Sequence, residues 1–205
     1  MIEEFNIMIV GVGGTGVLTL SRILGHAAVL EGEKVRVGEI HGMAQRGGSV
    51  FCEVRIGNKV YSPIIPQGRA DILISLEPVE ALRAAYKVSS KSIVLMNTHP
   101  IIPPVVSLGL ARYPSLEEIL EKMRKFSSKI IARDFTELAK EVGTVRVLNT
   151  LMLGVVYSIG KIPLRKESIE RAIEDVIPPR FVSINIEAFR RGIAEGQGLV
   201  KEQIS

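Results

Sequence analysis

Apolar positions along the chain alternate between two kinds of spacing. Ile7-Met8-Ile9-Val10 is a short unbroken apolar run that enters a cluster of glycines at Gly11, Gly13, Gly14 and Gly16. Beyond it Val17, Leu20, Leu24, Ala27 and Ala28 fall three or four residues apart, which predicts a helix with one buried face. Residues 34–39 read as a second strand with Glu39 at its end. Val50, Cys52, Val54 and Ile56 alternate with Phe51, Glu53 and Arg55, the period of a strand buried on one face. Gly57-Asn58 then suits a tight hairpin turn, with Lys59-Val60-Tyr61 returning.

The rest of the chain continues the alternation. Residues 70–76 and 92–97 are continuous apolar strands of the kind buried in a parallel sheet, separated by a helix over 78–86 that Pro78 opens. Residues 101–110, broken by Pro103-Pro104, read as an edge strand or an extended loop. Ser115-Leu116-Glu117-Glu118 matches a capping box, with Leu116, Ile119, Leu120 and Met123 as the buried stripe. A short strand over 129–132 precedes a helix that Asp134 and Glu137 cap and Gly143 ends. Three more helices follow, over 147–159, 167–176 and 183–194, with Gly192, Gly196 and Gly198 closing the last. Strands alternating with helices predict an α/β, Rossmann-like layered domain with a mostly parallel sheet, a hairpin insertion after the second strand and C-terminal helices. One domain spans 1–205, with an α/β core over 1–145 and the terminal helices over 146–200.

Composition narrows the function classes. The apolar fraction is 46% of 205 residues and mean hydropathy is +0.26, which is greasy for a chain living alone and points to a subunit interface. No apolar run reaches the ~18 residues of a membrane span. The acidic start, Met1-Ile2-Glu3-Glu4, lacks the basic flank of a secretion signal. A lone cysteine, Cys52, fits a reducing cytoplasm. The net charge of +4 comes from bases interleaved with acids, a pattern of solvated surface and not of a nucleic-acid footprint.

Two glycine-rich stretches carry the candidate chemistry. Gly11, Gly13 and Gly16 have the G-x-G-x-x-G spacing that brings backbone close to a phosphate at a helix N-terminus. The same spacing also serves a turn used only for helix–sheet packing, and both readings stay open. Read as a dinucleotide site, the turn would pair with Glu39 at the ribose. The second stretch, His41-Gly42-Met43-Ala44-Gln45-Arg46-Gly47-Gly48, interrupts an otherwise apolar neighbourhood. His26, His41 and His99 lack metal-ligand spacing, and His26 reads as structural or exposed. Cys52 sits on an apolar face and reads as a buried thiol, not a reactive one.

These residues together resemble a known family. Gly11-Val12-Gly13-Gly14-Thr15-Gly16, the run from His41 to Gly48, Leu76-Glu77-Pro78, Asn97-Thr98, Asn149-Thr150-Leu151 and Asn185-Ile186-Glu187 are similar to the small subunit of indolepyruvate:ferredoxin oxidoreductases, the gamma domain of the 2-oxoacid:ferredoxin oxidoreductases. Pyruvate-type relatives typically keep the Arg-Gly-Gly without the preceding His-Gly-Met-Ala-Gln, which favours the arylpyruvate branch over a pyruvate- or 2-oxoglutarate-type gamma subunit. The family usually has glutamine where this chain has Thr15.

The resemblance implies a cytoplasmic enzyme complex that oxidatively decarboxylates a 2-oxoacid to an acyl-CoA. A large alpha subunit would carry thiamine diphosphate, Mg2+ and [4Fe-4S] clusters, and ferredoxin would accept the electrons. No catalytic residue, metal or cofactor is assigned to this chain alone, and the isolated chain is expected to be inactive. Gly11, Gly13, Gly14, Thr15, Gly16, Arg46, Gly47 and Gly48 are expected to form a coenzyme A or interface loop. His41, Met43, Gln45, Asn97 and His99 are expected at the subunit interface, with neither nucleic acid nor membrane as a partner. The competing readings are a free-standing NAD-type oxidoreductase and a regulatory domain that keeps the fold.

Overall fold

Six strands form one sheet in the order β2-β3-β1-β4-β5-β6. The computed structural model describes residues 2–41, 47–159 and 162–202, apart from the side chains at 41 and 200–202. The first apolar run becomes β1 (Phe5–Val12), and the glycine turn leads into α1 (Val17–Leu30). Next come β2 (Val35–His41) and β3 (Ser49–Ile56). β4 (Ile72–Ser75), α2 (Pro78–Arg83) and β5 (Ile93–Asn97) extend the sheet, and β6 (Lys129–Arg133) closes its far edge. β1, β4, β5 and β6 run parallel, whereas β3 is antiparallel to both β1 and β2.

The alternation of side chains along β1 divides the core. Ile7 and Ile9 face a cluster with Leu20, Leu24, Leu151 and Phe189, while Met8 and Val10 face a second one with Leu73, Val94, Ile119 and Met123. The first cluster is covered by α1, α5 (Phe135–Val142), α6 (Leu148–Ser158), α7 (Lys166–Val176) and α8 (Pro179–Glu202). The second lies under α2 and α4 (Leu116–Met123). Between β5 and α4 the chain makes one short helical turn, α3 (Pro104–Ser107).

Four local expectations are corrected. The hairpin lies one connection earlier than the pattern suggests: β2 and β3 form it, and β3 enters the sheet between β2 and β1. Residues 59–61 do not return as a strand. The Asn58 and Lys59 amides donate to the Ile2 and Glu3 carbonyls, and the buried Arg55 guanidinium donates to the Ser62 and Ile64 carbonyls, each at 2.9 Å. That segment is a strap held by two buried cations, Arg55 and Lys87, whose Nζ donates to the Ile65 carbonyl at 2.5 Å and lies 2.6 Å from Glu53 Oε1. Residues 101–110 form neither an edge strand nor a wholly extended loop, because Pro104 starts α3. The last helix runs from Pro179 to Glu202, straight through Gly192, Gly196 and Gly198. In the capping box Ser115 and Glu118 bond reciprocally as expected, although Leu116 is 38% exposed while Ile119 and Met123 are buried.

Candidate functional site

At the end of β1 the chain turns on itself. Both the amide and the hydroxyl of Thr15 donate to the Val12 carbonyl, at 3.0 and 2.8 Å. Gly14 and Gly16 have φ of 101° and 93°, a conformation that side-chain-bearing residues resist. Asn149, brought in by α6, donates its side-chain amide to the Gly16 carbonyl at 3.1 Å. A Cβ at Gly16 would fall 2.5 Å from that Asn149 nitrogen. α1 therefore starts from a glycine, with no side-chain cap and no acid in its first turn. Its leading amides keep the partial positive charge that attracts anions.

A cleft opens on either side of this helix start. One, of about 410 Å³, is bordered by Val12, Gly13, Val17, Leu18 and Val50. The other, of about 620 Å³, is bordered by Thr15, Thr19, Arg146, Asn149, Arg180 and Phe181, and no acidic residue lines it. Arg180 stacks on Phe181 with its guanidinium carbon 4.7 Å from the ring centre. Among the described residues neither Arg146 nor Arg180 has a carboxylate partner, whereas Arg55, Arg133, Arg165, Arg190 and Arg191 all do.

The far end of the second glycine stretch meets the first. The Gly13 amide donates to the Gly48 carbonyl at 2.8 Å, and the Gly47 amide to the Gly13 carbonyl at 3.4 Å. Beside them, on the C-terminal side of β4, two buried carboxylates begin α2. Glu77 accepts from the Glu80 amide at 3.1 Å, from the Ile101 amide at 3.4 Å and from the Tyr113 hydroxyl. Glu80 accepts from the Ser49 hydroxyl at 2.5 Å, and its other oxygen lies 3.5 Å from Arg83. Burial raises the Glu80 carboxyl above its ordinary value, with Ser49 and Arg83 opposing and Glu77 adding to the rise. Burial and the Glu77 carboxylate also push the Tyr113 hydroxyl up.

Several expected site residues are placed differently. Asn97 is 1% exposed and not available to a partner. Its amide donates to Thr136 and the Leu76 carbonyl, and its oxygen accepts from the Phe135 amide. His99 remains accessible, 3.4 Å from Asp134. Met43, Gln45, Arg46 and the His41 side chain lie outside the described residues. Glu39 is no ribose ligand: β3 separates its strand from β1, and its carboxylate faces Ser21 at 3.4 Å and Arg22 at 3.7 Å. Cys52 is fully buried with its thiol pushed up to about 11, chiefly by burial, which does not suit a thiolate ligand of a cluster. Asn149, Arg146 and Arg180 escaped sequence reasoning as ligand-site residues. They come from segments more than a hundred residues from the glycine turn, and although Asn149 opens a run that resembles the family, nothing local ties it to that turn.

The profile of the pyruvate ferredoxin/flavodoxin oxidoreductase family matches residues 6–195. The chain belongs to this family. Within it, the chain is 45% identical to the indolepyruvate oxidoreductase subunit IorB of Pyrococcus horikoshii, over 93% of this chain and 95% of that one. It is 31% identical to the common gamma subunit of the pyruvate/ketoisovalerate oxidoreductases of Pyrococcus furiosus, over 88% and 90%. The keto/oxoacid ferredoxin oxidoreductase gamma subunit of Geobacter sulfurreducens shares the fold, with a TM-score of 0.69 at 22% identity over 95% of this chain and 99% of that one.

Proposed function

We propose that this chain is the small subunit of an indolepyruvate (arylpyruvate):ferredoxin oxidoreductase. It would act with a large subunit bearing thiamine diphosphate, Mg2+ and iron–sulfur clusters. The observation that carries the branch is the 45% identity to an indolepyruvate oxidoreductase subunit against 31% to a pyruvate/ketoisovalerate gamma subunit. Thiamine diphosphate supplies the carbanion chemistry of decarboxylation in such a complex, and ferredoxin takes the electrons. This chain's own part is to hold coenzyme A and to dock the large subunit.

Three features support the coenzyme A role. The start of α1 is uncapped, and Gly14 and Gly16 leave backbone rather than side chain at the rim. The larger cleft beside it has two arginines and no acid, a setting suited to phosphates. Arg46 precedes the Gly47-Gly48 pair that bonds Gly13. Thr15 bends back to Val12, so its hydroxyl closes the turn and leaves ligand contact to backbone amides. The docking role is supported by Ile102, Leu108 and Leu110, 46%, 72% and 76% exposed on the segment between β5 and α4. α6, by contrast, spends its apolar surface inside the chain.

Co-expression with a cofactor-bearing large subunit, followed by an indolepyruvate-dependent ferredoxin-reduction assay, tests the reading. Activity of the pair and silence of the lone chain are expected. Dye reduction by the lone chain would overturn it. Arg46→Ala in the assembled complex is expected to raise KM for coenzyme A by on the order of tenfold, the loss of one charge-assisted hydrogen bond. An unchanged KM with normal assembly would remove Arg46 from the coenzyme site.

A further inference from the structure

Glu77 and Glu80, one helical turn apart at the start of α2, hold opposite walls of the same cleft. The cleft is about 340 Å³ and is bordered by Gly47, Gly48, Ser49, Ile101, Val106 and Tyr113. Glu77 holds one wall, because the Ile101 amide and the Tyr113 hydroxyl, at the two ends of the 101–113 segment, converge on a single one of its oxygens. Glu80 holds the other wall through Ser49, the residue directly after Gly47-Gly48.

We propose that Glu80 is a positioning residue for the Gly47-Gly48 pair, fixing this C-terminal foot of the glycine-rich stretch against the Gly11–Gly16 turn through Ser49. This inference rests on the function proposed above and deepens it. Three observations carry it. The Ser49 hydroxyl donates to Glu80 at 2.5 Å. The residues just before Ser49 exchange backbone bonds with Gly13, so Glu80 and the glycine turn grip the same foot from two sides. The Glu80 side chain is only 8% exposed, with Arg83 3.5 Å from its other oxygen, and among the described residues the Ser49 hydroxyl is its hydrogen-bond donor. Burying a carboxylate costs stability, and here it gives the foot a charge-assisted anchor.

Among the described residues, the charged and titratable groups facing Glu80 are Glu77 and Arg83 on its own helix and Tyr113 from the segment before α4. Protonation of Glu80 removes the charge assistance to Ser49, so the anchor weakens as pH falls through its raised value. The test uses the assembled complex. Glu80→Ala is expected to raise KM for coenzyme A by on the order of tenfold with a smaller fall in kcat, and to speed hydrogen exchange at the Gly13 amide. Ser49→Ala should reproduce both effects. Glu80→Gln keeps the shape and an acceptor but cannot ionise. It should give Gly13 protection between those of wild type and Glu80→Ala, and abolish the acid limb of kcat/KM for coenzyme A.

A wild-type KM and wild-type Gly13 protection in Glu80→Ala would overturn the proposal, as would an acid limb that survives in Glu80→Gln. Both outcomes are read against a wild-type complex that is active with coenzyme A. If the wild-type complex shows no such activity, it is the proposed function that falls. Gly13 exchange in the lone chain then still decides whether Glu80 holds the foot.

Discussion

At Gly192 a Cβ would overlap the Leu151 carbonyl oxygen, and at Gly154 one would sit 2.9 Å from the Ile193 amide nitrogen. These two glycines, with Gly196 against Ser158, let the backbones of α6 and α8 touch. Read from the sequence, the glycines of 192–198 look like a helix end, because glycine is the usual stop signal. Only the presence of α6 across the interface reveals Gly192 and Gly196 as contact points. Gly192→Ala is expected to lower stability by about 1–3 kcal/mol, the cost of forcing atoms into a filled core. Gly198, where a Cβ meets nothing within 4 Å, is the control: its change to alanine should be neutral or stabilising by about 0.5–1 kcal/mol. Thermal melts of the two variants decide the matter, and equal Tm values would mean that the helices do not cross this closely.

Among the elements, those with strong local signals were legible. The 3.6-residue stripe of α1, the reciprocal Ser115–Glu118 cap of α4 and the Asp134 cap of α5 all depend on residues within a turn or two of each other. The strap over 57–71 was not legible, because its shape depends on Arg55 reaching carbonyls seven and nine residues away, on Asn6 of the first strand and on Glu4 just before it. Glu4 is the acid-sensitive part of that clasp. The Asn6 amide, then Arg55 and Arg69, hold its carboxyl below the ordinary 4.5 against the opposing effect of burial. Its folded value lies below its unfolded one, so its contribution is complete above pH 4.5 and is lost as pH falls through the folded value. Glu4→Gln should therefore melt below wild type at neutral pH, with the gap closing as the pH is lowered through the carboxylate range. A gap that stays constant with pH would mean that the charge on Glu4 plays no part in the clasp.

For the whole molecule, the exposed apolar segment between β5 and α4 sets the expectation for assembly. Leu108 and Leu110 are more than two-thirds exposed, so exchanging both for serine should leave the stability of the lone chain within about 0.5 kcal/mol of wild type. The same exchange should weaken co-purification with the large subunit, and undiminished assembly would direct attention to another face. Taken by itself, the amino-acid sequence determined the number and kind of most elements, the glycine turn after β1 and the family. Hydrophobic period, caps and glycine spacing are written within short windows of chain. The tertiary structure alone decided that β3 lies between β2 and β1, that Gly48 abuts Gly13, that Asn97 is an internal pin, and that Arg146 and Arg180 border one cleft. Each of those facts is a pairing between residues far apart in the chain, set by how whole faces pack and not by any local pattern.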